Sequence, residues 1–156
     1  MPEGEAALAL VCLLRDRTAA YARIAQALRS LRPGGWLLVD GQKSEGVDTT
    51  LKTLRKLLPA EGVAAKAHGK IAWFRRPADL PGEVAEWEKA AESRPNADGL
   101  LTAPGMFSAD RVDPGTKMLI EHGPASVKGA AVDLGAGWGA LAKGVLEKAR
   151  ELTSLD

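Results

Sequence analysis

Val132-Asp133-Leu134-Gly135-Ala136-Gly137-Trp138-Gly139 is an apolar run that ends in an acid and a glycine-spaced turn, and a helical pattern from Ala140 to Arg150 follows it. Strand, glycine turn and helix in that order are how an open α/β sheet presents a loop to a ligand. The first N–H groups of the helix are left free, and the glycines let the backbone approach closely. The sequence around this loop decides whether such a sheet exists.

Upstream, Ala7 to Leu14 is continuously apolar, as expected of a strand covered on both faces. Asp16 or Thr18 is placed to cap a helix whose apolar side, Ala20, Ile24, Ala27, Leu28 and Leu31, recurs at helical spacing. Pro33-Gly34-Gly35 is expected to end that helix. Trp36 to Val39 reads as a second short strand stopping at Asp40-Gly41. Val47, Leu51, Leu54 and Leu58 outline a second amphipathic helix ended by Pro59, and Val63–Ala67 with Ile71–Phe74 flank His68-Gly69 as a hairpin. Strand, helix, strand, helix, hairpin predicts an α/β sheet with an antiparallel edge.

Beyond Pro77 the punctuation by Pro81, Gly82, Pro95 and Gly99 reads as a linker over residues 79–99, with Val84 to Ala91 its only periodic part. Leu100-Leu101 precede a turn-rich segment, Ala103 to Ser108. Asp113-Pro114-Gly115 opens a short helix through Met118, Leu119 and Ile120, and Gly129 to Asp133 is expected to be the next strand.

Composition sets bounds. The 156 residues are 46% hydrophobic and 26% charged, as in one ordinary globular domain or two small ones. A net charge of +1 supplies no global field for nucleic acid. Cys12, His68 and His122 make a poor zinc set, so no metal is expected, and one cysteine fits a reducing, cytoplasmic setting. Ala6 to Leu14 is too short to span a bilayer and follows Glu3 and Glu5 rather than a basic segment, so neither a membrane anchor nor a signal peptide is expected.

For the glycine loop the residues leave three readings. Gly135-x-Gly137-x-x-Ala140 fits the looser dinucleotide form, and a strand-to-helix turn that binds nothing has the same glycines. Asp133 favours the third: a carboxylate two residues before the first glycine repels a pyrophosphate and attracts the cationic sulfonium of S-adenosylmethionine.

With these residues in view the chain resembles the class I methyltransferases that modify guanine N2 of ribosomal RNA, of the small-subunit RsmC type. Asp133 to Gly139 is similar to the family's first cofactor motif. Pro104-Gly105-Met106-Phe107-Ser108 with Asp113-Pro114-Gly115-Thr116 resembles the segment that precedes it. Leu31 to Gly35 and Val39 to Val47 look like late strands of its degenerate N-terminal domain. The resemblance implies a Rossmann-like sheet, incomplete here: residues 1–78 as the C-terminal half of the degenerate domain, 79–99 as linker, and 100–156 as the start of the S-adenosylmethionine-binding catalytic domain. It implies cofactor contacts from Asp133, Gly135, Ala136, Gly137, Gly139, Phe107 and Ser108, and ribosomal RNA or the small ribosomal subunit as partner.

The family's catalytic Asn-Pro-Pro-aromatic tetrapeptide is absent; Asn96 lies between Pro95 and Ala97, and Leu14-Arg15-Asp16-Arg17 looks like its degenerate counterpart in the first domain. Methyl transfer to an exocyclic amine needs the lone pair aimed at the sulfonium carbon, which that tetrapeptide does by accepting the amine protons. The chain alone is therefore expected not to methylate, and it leaves no catalytic residue to assign. The acid that holds the cofactor ribose in the family has no counterpart unless Asp156 serves.

An incomplete sheet exposes an edge, so residues 129–134 are expected to lie against residues 7–14, and unpaired edges would also serve a homo-oligomer. Arg15, Arg17, Arg23, Arg29 and Arg32 read as a solvated face, Trp36, Trp73 and Trp87 as core or interface, and Lys66, His68 and Lys70 as an exposed hairpin tip. Cys12 reads as a buried small side chain. Trp138 either covers the cofactor edge or packs on the following helix. Two functions stand: the cofactor-binding piece of an RNA guanine-N2 methyltransferase, or a non-enzymatic RNA- or protein-interaction scaffold in which the glycine loop is only a turn.

Overall fold

The computed structural model of the chain describes residues 4–123 and 130–153. They divide into two compact units, with the break between Glu92 and Ser93.

The first unit contains β1 (Ala6–Cys12), α1 (Arg17–Ser30), β2 (Leu31–Gln42), a 3-10 turn (Lys43–Glu45), α2 (Val47–Leu57), β3 (Ala60–Lys66), β4 (Gly69–Arg75) and α3 (Gly82–Ala90). Its sheet runs β1-β2-β4-β3, with β1 and β2 parallel and β4 antiparallel to both its neighbours. This is the α/β sheet with an antiparallel edge expected from the order of apolar segments.

Asp16 starts α1: its Oδ1 accepts the Ala19 N–H at 2.8 Å, satisfying one of the helix's free donors. The helix ends earlier than Pro33-Gly34-Gly35. Leu31 is already extended, at φ −76° and ψ 139°, and β2 runs through the Pro-Gly-Gly segment. Proline disfavours helical geometry in the residue before it, so Arg32 is extended as well. The register slips there, from Ala6 opposite Leu31 to Leu8 opposite Trp36, and Gly34 takes the bend at φ +76°.

One face of the sheet carries the core. Val11, Leu37, Val39, Ala72 and Phe74 are buried with Ile24 and Leu28 of α1 and with Val47, Leu51, Leu54 and Leu58 around α2. Complete burial of a side chain of this size contributes about 1.5–3 kcal/mol, so this layer holds the unit together. The opposite face is open. Leu8 and Leu10 are each 56% exposed and Cys12 is exposed, which corrects the expectation that β1 is covered on both faces and that Cys12 is buried. An apolar strand at the edge of a sheet has the same composition as a central one, so its sequence does not tell the two apart.

The hairpin is displaced by one residue from its expected turn. Gly69 pairs with Lys66 inside the ladder, and the two turn residues are Ala67 and His68, at φ +50° and +63°. Positive φ at both central positions is what the right-handed twist of a two-residue hairpin requires. The tip is not purely solvent: Lys70 reaches back to Asp48 of α2 at 2.5 Å.

The stretch read as a linker, residues 79–99, contains α3. Val84 is 1% exposed, the Trp87 ring lies 4.7 Å from that of Tyr21, and Glu88 meets Arg29 at 2.6 Å, so α3 belongs to the first unit. Pro81 caps this helix and Gly82 is its first residue, so the punctuation falls at its start and leaves Val84 to Ala90 periodic.

The second unit has a two-stranded ladder of β5 (Arg94–Pro95) and β6 (Leu101–Thr102), then α4 (Pro114–His122) and α5 (Ala140–Thr153). Gly144 lets these helices approach, since a Cβ there would collide with the Ile120 side chain. The expected strand at 129–133 does not form among the described residues, 130–133, and residue 129 lies outside them. Val132 and Leu134 are 82% and 91% exposed. β1 is an edge strand whose one neighbour in its sheet is β2. A strand is stabilised when its N–H and C=O groups find a ladder, and residues 130–133 join none among the described residues.

Candidate functional site

In the second unit the glycine loop and the turn-rich segment meet around a cavity of about 240 Å³. Its walls include Phe107, Ser108, Asp113 and Thr116 on one side and Asp133, Gly135, Ala136 and Gly137 on the other. Six of the seven residues expected to touch a cofactor therefore line one cavity. Gly139 does not; at φ +86° it turns the chain into α5, and its carbonyl accepts the Lys143 N–H at 2.9 Å.

Local chemistry explains each wall. Gly135 and Gly137 have φ of +81° and +58°, in the region that side chains with a Cβ avoid, so the bends between Asp133 and α5 need glycine. Asp113 caps α4, its Oδ2 accepting the N–H groups of Gly115 at 2.9 Å and Thr116 at 3.2 Å, and Pro114 occupies the first turn where its missing N–H costs nothing. The sequence marks Asp113-Pro114-Gly115 as a helix opening and Asp113 to Thr116 as part of the family-like segment, without naming either end as a cavity residue; the place of Asp113 and Thr116 on the wall follows from the α4 N-terminus lying there. Trp138 joins the two walls, its indole N–H donating to the Phe107 carbonyl at 2.9 Å.

The electrostatics are one-sided. Asp113 and Asp133 line the cavity, and no Lys, Arg or His is among its lining residues. The Asp113 oxygen is already engaged by α4. Asp133 is different: its Oδ2 is buried with no hydrogen-bond partner. An acceptor oxygen buried without a partner costs about 1–3 kcal/mol, and a donor or cation in the cavity relieves that cost. Phe107, 76% exposed, adds an open aromatic face. The arrangement suits a ligand with a flat ring and a positive or donor group; a pyrophosphate would meet two acids and no base.

The other residues singled out in the sequence lie elsewhere. Trp36 sits in the first unit under the Arg75 guanidinium, 3.3 Å from its ring centroid, and is half-buried like Trp73 and Trp87. Leu14 and Arg15 form the loop leading to the α1 cap Asp16, and Arg17 begins the helix. Arg15, Arg17, Arg23 and Arg32 are exposed, whereas Arg29 is half-buried and bonded to Glu88. Asp156 lies outside the described residues. Among the described residues no group of three or more His, Cys, Asp or Glu is arranged to hold a metal ion, and no helix is long and apolar enough to cross a membrane.

Comparison with known proteins covers this region and most of the rest of the chain. Residues 98–156 match the family model of the methyltransferase small domain. The ribosomal RNA small subunit methyltransferase C of Pseudomonas paraeruginosa is 32% identical over 99% of this chain and 48% of its own length. The protein of that name from Hahella chejuensis is 32% identical over 68% of this chain and 32% of its own length. A solved structure of the Thermus thermophilus 16S rRNA N2 G1207 methyltransferase RsmC, in complex with AdoMet and guanosine, superposes with a TM-score of 0.71 at 29% identity, covering 94% of this chain and 42% of that one. The chain thus spans about half the length, or less, of the relatives it matches, and it resembles the RsmC-like methyltransferases along most of its own length. The mixed α/β sheet is consistent with part of a Rossmann-like methyltransferase fold.

Proposed function

We propose that this chain is a cofactor-binding piece of a guanine-N2 methyltransferase acting on small-subunit ribosomal RNA, and that the cavity between Phe107 and Asp133 holds S-adenosylmethionine. The observation that carries the reading is the unpartnered Asp133 Oδ2 in a cavity with no basic side chain among its lining residues. Asp133 attracts the positive methionine end, Gly135 and Gly137 let the ligand approach the backbone, and Phe107 and Ala136 flank the adenosine. When bound, S-adenosylmethionine supplies an electrophilic methyl group. Residues 1–78 correspond in this reading to the late half of a degenerate methyltransferase-like domain and residues 100–156 to the opening of the catalytic one. Ribosomal RNA as partner rests on the likeness to the small-subunit methyltransferases.

The 156 residues contain no Asn-Pro-Pro-aromatic run. In this reading the acceptors on the cavity wall are committed elsewhere, Asp113 to the α4 cap and Asp133 to the cofactor, so the chain alone binds cofactor without transferring a methyl group.

Isothermal titration tests this. S-adenosylmethionine is expected to bind and NAD not to. Asp133→Ala is expected to weaken S-adenosylmethionine by about 10- to 100-fold, the range for losing a bond to a charged group. No heat from the unmutated chain would leave the interaction-scaffold reading in possession, and heat from NAD alone would return the loop to the dinucleotide class.

A further inference from the structure

Phe107 stands on the cavity wall without the usual reasons for staying there. The residue is 76% exposed, so burial does not anchor it, and the next residue, Ser108, holds φ +51°, a conformation that a residue with a Cβ adopts only at some cost. Two backbone bonds of this turn are local, Met106 N–H to Ala103 C=O at 3.2 Å and Arg111 N–H to Ser108 C=O at 3.3 Å, and Asn96 Nδ2–H donates to the Ala109 carbonyl at 3.3 Å at its far end, two residues past Phe107. Across to the glycine loop, one hydrogen bond among the described residues reaches this segment: Trp138 Nε1–H to the Phe107 carbonyl at 2.9 Å.

Trp138 lies inside a turn closed by the Gly139 N–H donating to the Ala136 carbonyl at 2.9 Å, with Gly137 and Gly139 taking its bends at positive φ. We infer that Trp138 is a positioning residue for the cavity: its indole N–H ties the Phe107–Ser108 segment to the glycine loop and so fixes the distance between the aromatic face and the Asp133 carboxylate. The inference rests on the proposed S-adenosylmethionine site and names what keeps its two walls in register. A ligand that touches both walls benefits only if they are already in place, because otherwise part of its binding free energy goes into ordering them.

The test removes one N–H and nothing else. With 3-benzothienylalanine at position 138 the bicyclic shape stays and the donor goes; with 7-azatryptophan the donor stays. The first is expected to raise the Kd for S-adenosylmethionine by about three- to tenfold, the worth of one neutral hydrogen bond, and the second to leave it within a factor of about two. A packing role would treat the two analogues alike, so equal Kd values overturn the inference. The tie is also read without cofactor, from hydrogen exchange of the Trp138 indole N–H, identified by its loss in Trp138→Phe. Exchange as fast as that of a free indole overturns the inference whatever binds. A protected indole in a chain that fails to bind S-adenosylmethionine would retire the cofactor reading and support the tie.

Discussion

Trp73 and Gly62 face each other across the β3–β4 pair, and the indole fills the space that a Cβ on the glycine would need. Pairing a large ring with an absent side chain lets Trp73 lie flat over the neighbouring strand on the sheet face that carries no helix. Gly62→Ala forces the ring off that seat or bends the strand, and overpacking of this kind costs about 1–3 kcal/mol. Urea unfolding of the two proteins measures it; equal midpoints would show that the indole moves aside freely.

The core should outweigh the surface ion pairs by a clear margin. Leu54 is completely buried between α2 and the sheet, and Leu54→Ala is expected to cost about 2–5 kcal/mol through lost burial and a residual cavity. Glu88→Gln breaks the 2.6 Å pair with Arg29, whose side chains are 40% and 30% exposed for the arginine and the glutamate. Solvent screens such a pair, so its loss is expected to cost below about 1 kcal/mol. A Glu88→Gln defect as large as that of Leu54→Ala would mean that α3 is held to α1 by charge rather than by Val84 and Trp87.

The same contrast explains what the sequence revealed. Helices α1 and α2 were legible because Ile24, Leu28, Leu51 and Leu54 all face one core, so that period, caps and burial agree. The open face was not legible: Leu8, Leu10 and Cys12 read as buried because periodicity reports apolar residues, not whether anything covers them. For the cavity, the glycine spacing and the Phe107-Ser108 turn drew attention to two segments that line it. The bond from Trp138 to the Phe107 carbonyl had no local signature, because it joins a side chain to a backbone group far along the chain.

Asp48 gives the first unit a pH dependence with a defined sign. Its bond to Lys70 lowers its pKa below the usual 3.8, with smaller Coulombic help from Lys70 and Lys43. A depressed carboxylate pKa means that the unfolded chain takes up the proton first as pH falls. The contribution is therefore whole above pH 3.8 and is lost as pH drops from there through the folded value. Chemical unfolding across pH 7 to 2 is expected to show unmutated protein above Asp48→Asn at neutral pH and the gap closing in acid. A constant gap would assign the effect to geometry rather than to charge.

Asp113 links the stability of α4 to the shape of the cavity. The helix has only nine residues and none of them is buried, so packing does little to hold its first turn and the cap matters more than usual. Removing the carboxylate in Asp113→Ala frees the N–H groups of Gly115 and Thr116, at a cost of about 0.5–2 kcal/mol to the helix, whereas Asn caps nearly as well as Asp. Amide hydrogen exchange at residues 115–117 is expected to quicken in Asp113→Ala and to return towards the original rate in Asp113→Asn. Because Thr116 lines the cavity, S-adenosylmethionine affinity should follow the same order, with Asn close to Asp and Ala weakest. If Asn instead bound as poorly as Ala while restoring the exchange rates, the Asp113 charge rather than its capping bonds would be what the ligand meets.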